Sequence, residues 1–159
     1  MKTKTQKIVL AALFAALACI ATLVIKIPSP LKGYINLGDC IVLLAGWLLS
    51  RGYGFMAAGL GSALADLILG YAVYAPVTFV VKGTMALAAS LGSGKGLVLK
   101  LVSGVAAELV MILGYYVFEG FMYGFGPAAI NIPANAVQGV AGLVIGIILV
   151  KIFEKHIKQ

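Results

Sequence analysis

Residues Ile8-Val9-Leu10-Ala11-Ala12-Leu13-Phe14-Ala15-Ala16-Leu17-Ala18-Cys19-Ile20-Ala21-Thr22-Leu23-Val24-Ile25 contain neither a charge nor a proline. A helix rises about 1.5 Å per residue, so about 20 apolar residues cross a hydrocarbon layer about 30 Å thick. This stretch therefore predicts a membrane helix. The basic start, Met1-Lys2-Thr3-Lys4-Thr5-Gln6-Lys7, imitates a secretory leader, and Ala16-Leu17-Ala18-Cys19 resembles a lipoprotein cleavage site. The run continues past Cys19, however, and more apolar runs follow with loops too short for a separate mature domain. A retained first helix is expected.

Working outward, five further apolar runs follow, at about 37–49, 53–69, 77–91, 97–118 and 133–153. Glycine and proline interrupt them at Pro28-Ser29-Pro30, Gly52, Gly70, Pro76 and Gly92-Ser93-Gly94. The chain of 159 residues is 62% hydrophobic and 11% charged. A soluble domain averages about 45–50% apolar and about 25% charged, so disordered, nucleic-acid-binding and disulfide-scaffold classes are excluded. The expected architecture is an all-α integral membrane protein: one domain, 1–159, folded as a six-helix bundle. Runs two and four are short for a crossing, so a tilted or thinned arrangement is expected there. Cys19 and Cys40 fall in apolar runs and read as free thiols.

The net charge of +7 is informative through its placement. With six crossings, one side holds Lys2, Lys4, Lys7, Arg51, Lys95, Lys100, Lys151, Lys155 and Lys158, and the other only Lys26 and Lys32. That bias predicts both termini in the cytoplasm. The two long loops, near 26–36 and 119–132, then face outward, where loops of that length tend to carry function.

Ionisable groups inside a membrane are costly and hence functional candidates. Asp39, Asp66, Lys82 and Glu108 are the charges within the runs, joined by the amides Asn135 and Gln138. From the helix rise, Asp39 and Asn135 lie about 3 Å below their outer helix ends, Asp66, Lys82 and Gln138 roughly 5–8 Å, and Glu108 roughly 15 Å. Five of the six thus gather beneath the outer loops. Structural explanations stand beside the functional one. Asp66 and Lys82, at like depth on sequential helices, suit an ion pair as well as a ligand clamp. Asp39 or Asn36 suits a helix cap; Asn135 and Gln138 suit interhelical hydrogen bonds. Glu108 has no cation at its depth. Tyr34, Tyr71, Tyr74, Tyr115, Tyr116 and Tyr123 lie toward the outer face as an aromatic belt, with room for one or two to stack on a flat ligand.

Small residues recur at helical spacing: Ala11/Ala15 and Ala12/Ala16 in run one, Ala57/Gly61 and Gly59/Ala63 in run three, Gly142/Gly146 in run six. Such strips admit close helix approach, within the bundle or from a partner. Gly92-Ser93-Gly94-Lys95-Gly96 looks like the end of a phosphate loop, but Ala89 stands in place of the first glycine and Gly96 in place of the hydroxyl residue. His156 falls in the basic tail. No metal-ligand cluster or nucleophile motif is present, so no catalytic residue, cofactor or metal is expected.

The alanine strip, Gly33-Tyr34-Ile35-Asn36-Leu37-Gly38-Asp39, the stretch Gly59–Asp66 continuing through Gly70-Tyr71 and Tyr74-Ala75-Pro76 to Lys82-Gly83, and Asn131-Ile132-Pro133-Ala134-Asn135 with Gln138 together resemble the S components of energy-coupling factor (ECF) vitamin transporters. The likeness is strongest to the riboflavin-type subgroup, which includes hydroxymethylpyrimidine and vitamin B6 carriers. It implies a subunit of a prokaryotic cell membrane that captures a vitamin from outside and docks on a T component with two ATPases. Those partners, and not this chain, would hydrolyse ATP. By position, Ala11, Ala12, Ala15 and Ala16 match the strip that meets the T component. The candidate substrate contacts are Asn36, Asp39, Asp66, Tyr74, Lys82, Glu108, Asn131, Asn135 and Gln138. Hydroxymethylpyrimidine or a B6 vitamer is the favoured cargo and riboflavin the next, because the lone tryptophan, Trp47, lies toward the inner end of run two. An ion-gradient-driven carrier using Glu108 or Asp66, or an assembly scaffold, would be the readings from other classes.

Overall fold

The computed structural model describes residues 3–29 and 33–157, with side chains through residue 153. Lys2, Lys32 and Lys158 of the charge count, and the side chains of Lys155 and His156, lie outside the described residues. Helix α1 (Lys4–Val24) begins before the apolar run because Thr3 caps it: its hydroxyl accepts from the Gln6 amide at 3.2 Å, and the Gln6 side chain accepts from the Thr3 amide at 2.9 Å. The first long loop then forms a hairpin, β1 (Lys26–Pro28) antiparallel to β2 (Tyr34–Asn36), with Ile27 opposite Ile35. This is an addition to the all-helical expectation.

The remaining elements are α2 (Gly38–Leu48), α3 (Arg51–Ile68), α4 (Ala75–Ala89), a 3-10 turn (Ser90–Gly92), α5 (Leu97–Tyr123), the short α6 (Phe125–Ala128), a second 3-10 turn (Ala129–Asn131) and α7 (Ile132–Ile157). Helix α5 runs five residues past the expected end at Phe118 and stops where Gly124 takes a φ of +90°, a conformation glycine adopts without steric cost. Among the described residues, four helical stretches are long and apolar enough to cross a membrane: Lys4–Val24, Ala75–Gly92, Leu97–Tyr123 and Phe125–Phe153.

Helix α2 is shorter than the apolar run expected at 37–49. Its 11 residues span only about 16 Å. It packs against α1, α3, α4 and α7, and the side chains of Val42, Leu43, Leu44 and Trp47 are almost wholly enclosed. Protein rather than lipid surrounds α2, so nothing requires it to match the bilayer thickness. Trp47 donates to the Ser103 hydroxyl at 3.2 Å and so ties α2 to α5. Lys100, counted as a loop cation, is buried instead, its ammonium donating to the Lys95 carbonyl at 2.5 Å.

Helix α3 lies between α1 and α4. A Cβ on Gly61 would stand 2.2 Å from the Ala15 carbonyl oxygen, so glycine is what lets these two backbones meet. The two pairs of the alanine strip differ in surroundings. Ala11 belongs to the core cluster and Ala15 packs on it, whereas Ala12 and Ala16 are exposed on the opposite side of α1. The outward faces of α1, α5 and α7 carry exposed aliphatics such as Val9, Leu13, Val102, Leu109, Val140 and Val144, as lipid-facing helices require.

Candidate functional site

At the hairpin end of the bundle, polar residues occur one helical turn apart on three helices: Ser62 and Asp66 on α3, Thr78 and Lys82 on α4, Tyr115 and Glu119 on α5. Positions i and i+4 share a helix face, and all six side chains line one cavity. Asn135 and Gln138 of α7 close a further wall, Thr22 of α1 another, and Ser29, Gly33, Tyr34 and Asn36 of the hairpin cover it. Tyr71 and Tyr74 complete the lining. The free space within the walls is about 40 Å³, and about 490 Å³ once the open solvent at the mouth is included.

A buried network sets the cavity floor. Lys82 pairs with Asp39, both almost entirely enclosed. The other Asp39 oxygen accepts from the Gln138 amide at 2.7 Å, and Gln138 in turn accepts from the Asn36 backbone amide at 2.8 Å. Three elements distant in sequence, β2, α2 and α7, are thereby locked to α4. The ion pair of Lys82 is thus with Asp39 and not with Asp66. Nor does Asp39 cap α2; the Asn36 side chain does the local work, accepting from the Gly38 amide at 2.8 Å. The Lys82 ammonium also lies 5.5 Å from the Tyr115 ring centroid, a cation–π contact.

Asp66 instead accepts from the Tyr34 hydroxyl. Burial, reinforced by the neighbouring carboxylate, holds that phenol well above its ordinary pKa, so it stays a donor. The second Asp66 oxygen, the Ser62 hydroxyl and the Ser29 hydroxyl are buried without a hydrogen-bond partner. On the far wall, both oxygens of Glu119 accept from the Asn131 amide at 2.9 Å, and Tyr74 donates to Glu119 at 3.4 Å. Tyr34, Tyr71 and Tyr74 form a chain of tilted rings with centroids 5.0 and 6.2 Å apart, extended by Phe118 at 5.1 Å from Tyr74.

Of the nine residues proposed from sequence as contacts, Asn36, Asp66, Tyr74, Lys82, Asn135 and Gln138 line the cavity. Asp39 and Asn131 stand behind it, holding Lys82 with Gln138 and Glu119 respectively. Glu108 does not line the cavity, although its carboxyl group and Asp39 both stand against Gly142. It lines a separate apolar crevice between α5 and α7, with Leu109, Gly139 and Val140 among its neighbours, and neither carboxyl oxygen has a partner. Three tyrosines read as an interfacial belt, Tyr34, Tyr71 and Tyr115, join Tyr74 in the cavity lining. Thr22, Ser29, Ser62, Thr78 and Glu119 were not singled out from the sequence; the repeated i, i+4 polar spacing is the signal that marks most of them.

The family model for the S component of ECF-type riboflavin transporters matches residues 2–155. A Pyrococcus woesei protein, described as an uncharacterized protein in gap 3'region, is 37% identical over 142 residues, covering 87% of this chain and 95% of its own length. The thiamine precursor transporter HmpT of Lactococcus lactis subsp. cremoris (strain MG1363) is 27% identical over 152 residues, covering 94% of this chain and 89% of its own. A solved structure described as the structure and mechanism of the S component of a bacterial ECF transporter matches with a TM-score of 0.80 at 19% identity, covering 99% of this chain and 100% of that one. That likeness speaks for the fold; the family follows from the match over almost the whole chain. This multi-pass membrane protein is a transport subunit and not an enzyme: it belongs to the family of ECF-type riboflavin transporter S components.

Proposed function

We propose that the chain captures a small heteroaromatic vitamin or vitamin precursor in the cavity under the hairpin, with hydroxymethylpyrimidine or a B6 vitamer ahead of riboflavin, and delivers it through an ATP-driven partner module. The observation that carries this reading is the cavity itself: aromatic rings on one side and buried hydrogen-bonding groups on the others, the chemistry that fixes a flat polar ring in place. Asn36, Asp66, Tyr74, Lys82, Asn135 and Gln138 are the contacts, with Asp39 and Asn131 positioning them. The similarity to a thiamine precursor transporter supports a small cargo. The bias of lysine and arginine supports cytoplasmic termini, a cavity facing outward, and one membrane domain over 1–159 in a prokaryotic cytoplasmic membrane. Ala12 and Ala16, exposed on α1, suit the face that meets a T component and its two ATPases.

Native mass spectrometry of the gently purified protein, followed by a thermal-shift panel of vitamins, tests the reading. A co-purifying pyrimidine, pyridine or flavin mass is expected. An empty protein that no vitamin stabilises would overturn it and turn attention to a gradient-driven carrier.

A further inference from the structure

Ser29 Oγ, Ser62 Oγ and Asp66 Oδ2 are buried atoms without a hydrogen-bond partner among the described residues, and all three residues line the same cavity. Buried polar atoms left unpaired are costly and call for an explanation. Ser62 and Asp66, 2% and 3% exposed, sit one turn apart on the same face of α3, so their groups stand side by side. On the facing helix the Thr78 hydroxyl hydrogen-bonds the Tyr115 hydroxyl at 3.0 Å and also stands beside the Asp66 carboxyl group. When ionised, a carboxylate accepts only, so the Asp66 oxygen without a partner suits an N–H or O–H donor on whatever fills the cavity.

The charge balance points the same way. Two carboxylates, Asp66 and Glu119, belong to the lining. Lys82 is the one cationic side chain of the lining among the described residues, and Asp39, which lies behind the wall, neutralises it. A phosphate ester would bring about −1.5 to −2 further charge into this space, with no uncommitted cation among the described lining residues to meet it.

We infer that the cavity selects its cargo by charge: it takes an uncharged or cationic nitrogen heteroaromatic that offers a donor to Asp66, and refuses the phosphate ester of the same molecule. This rests on the capture reading above. The test measures affinity of the purified protein for three vitamins, hydroxymethylpyrimidine, pyridoxal and riboflavin, each against its own monophosphate, in the native chain, in Asp66→Asn and in Glu119→Gln. For whichever vitamin binds, the native protein is expected to bind the phosphate at least about 100-fold more weakly, and either neutralising variant to narrow that ratio about tenfold by gaining phosphate affinity. A gain cannot arise from damaged folding, and Glu119→Gln serves if Asp66→Asn does not fold. Phosphate binding within tenfold of the parent vitamin in the native protein, or an unchanged ratio in variants that still bind the vitamin, overturns charge selection and leaves capture standing. Binding of none of the three vitamins overturns both.

Discussion

Replacing Lys82 by Met isolates what the Lys82–Asp39 pair does. Asp39 is 0% exposed and Lys82 is 2% exposed, so the substitution leaves a carboxylate sealed in the bundle with only the Gln138 amide, at 2.7 Å, to stabilise it. Breaking a buried pair from one side costs about 3–5 kcal/mol. For a chain of this size each kcal/mol lowers Tm by about 2–4 °C, so Lys82→Met is expected to melt roughly 6–20 °C below the native protein. Adding Asp39→Asn removes the orphan charge while an amide oxygen still accepts from Gln138, and the double variant should return to within about 5 °C of native, since a neutral replacement of a buried pair is often tolerated. Thermal unfolding of the four proteins in detergent gives the cycle directly. A Lys82→Met protein within about 2 °C of native would refute the structural role and leave Lys82 as a group kept for cargo. So would a double variant less stable than Lys82→Met alone.

Other substitutions probe the remaining walls. Asn131→Ala removes the amide that both Glu119 oxygens use, and should lower stability by about 1–3 kcal/mol while weakening cargo binding, read by thermal shift with and without ligand. Glu108→Met replaces a carboxyl group that has no partner in an apolar crevice; Tm should rise by a few degrees with cargo affinity unchanged, and a fall in Tm would mean that Glu108 has a partner in the membrane. Ala12→Leu with Ala16→Leu should leave Tm and cargo binding intact but abolish uptake in cells supplying the partner module, because both positions are exposed on α1. Tyr34→Phe deletes the donor to Asp66 at a cost of about 1.5–3 kcal/mol. The Tyr34 phenol is held above its ordinary pKa, so this contribution is complete below about pH 10 and fades as pH rises above it; the gap in Tm between native and variant should narrow only there.

The long helices were legible because lipid writes its demand directly into sequence. A face exposed to hydrocarbon tolerates no charge over about 20 residues, and α1, α5 and α7 meet that demand with exposed aliphatics. Helix α2 reads the same way for a different reason. Leu43, Leu44 and Val42 are apolar because protein encloses them, and composition does not distinguish one apolar surrounding from the other. Its length was the clue, since 11 residues rise only about 16 Å. The hairpin was hidden because strands of three residues are too short to show alternation, and because the bond that anchors it joins Asn36 to Gln138, residues 102 positions apart.

At the site, depth was recoverable and direction was not. Counting helix rise put Asp66 and Lys82 at like depth, and adjacency in sequence then suggested that they pair. Depth fixes only one coordinate of a side chain in a bundle. The second is its angle about the helix axis, and that angle sends Lys82 toward the buried α2, where Asp39 awaits it, and Asp66 toward the hairpin and Tyr34. The same missing coordinate explains Glu108, which at its own depth turns to the α5–α7 crevice instead of the cavity. Yet the angle is partly encoded. Ser62/Asp66, Thr78/Lys82 and Tyr115/Glu119 each repeat a polar residue after four positions on a largely apolar helix, and two polar groups on one stripe must face the same way. Glu108 has no such companion: Gly104 and Ile112 flank it at that spacing. In a membrane bundle, then, a paired polar stripe marks an inward-facing wall, while a solitary ionisable residue carries no statement of direction until its neighbours are known.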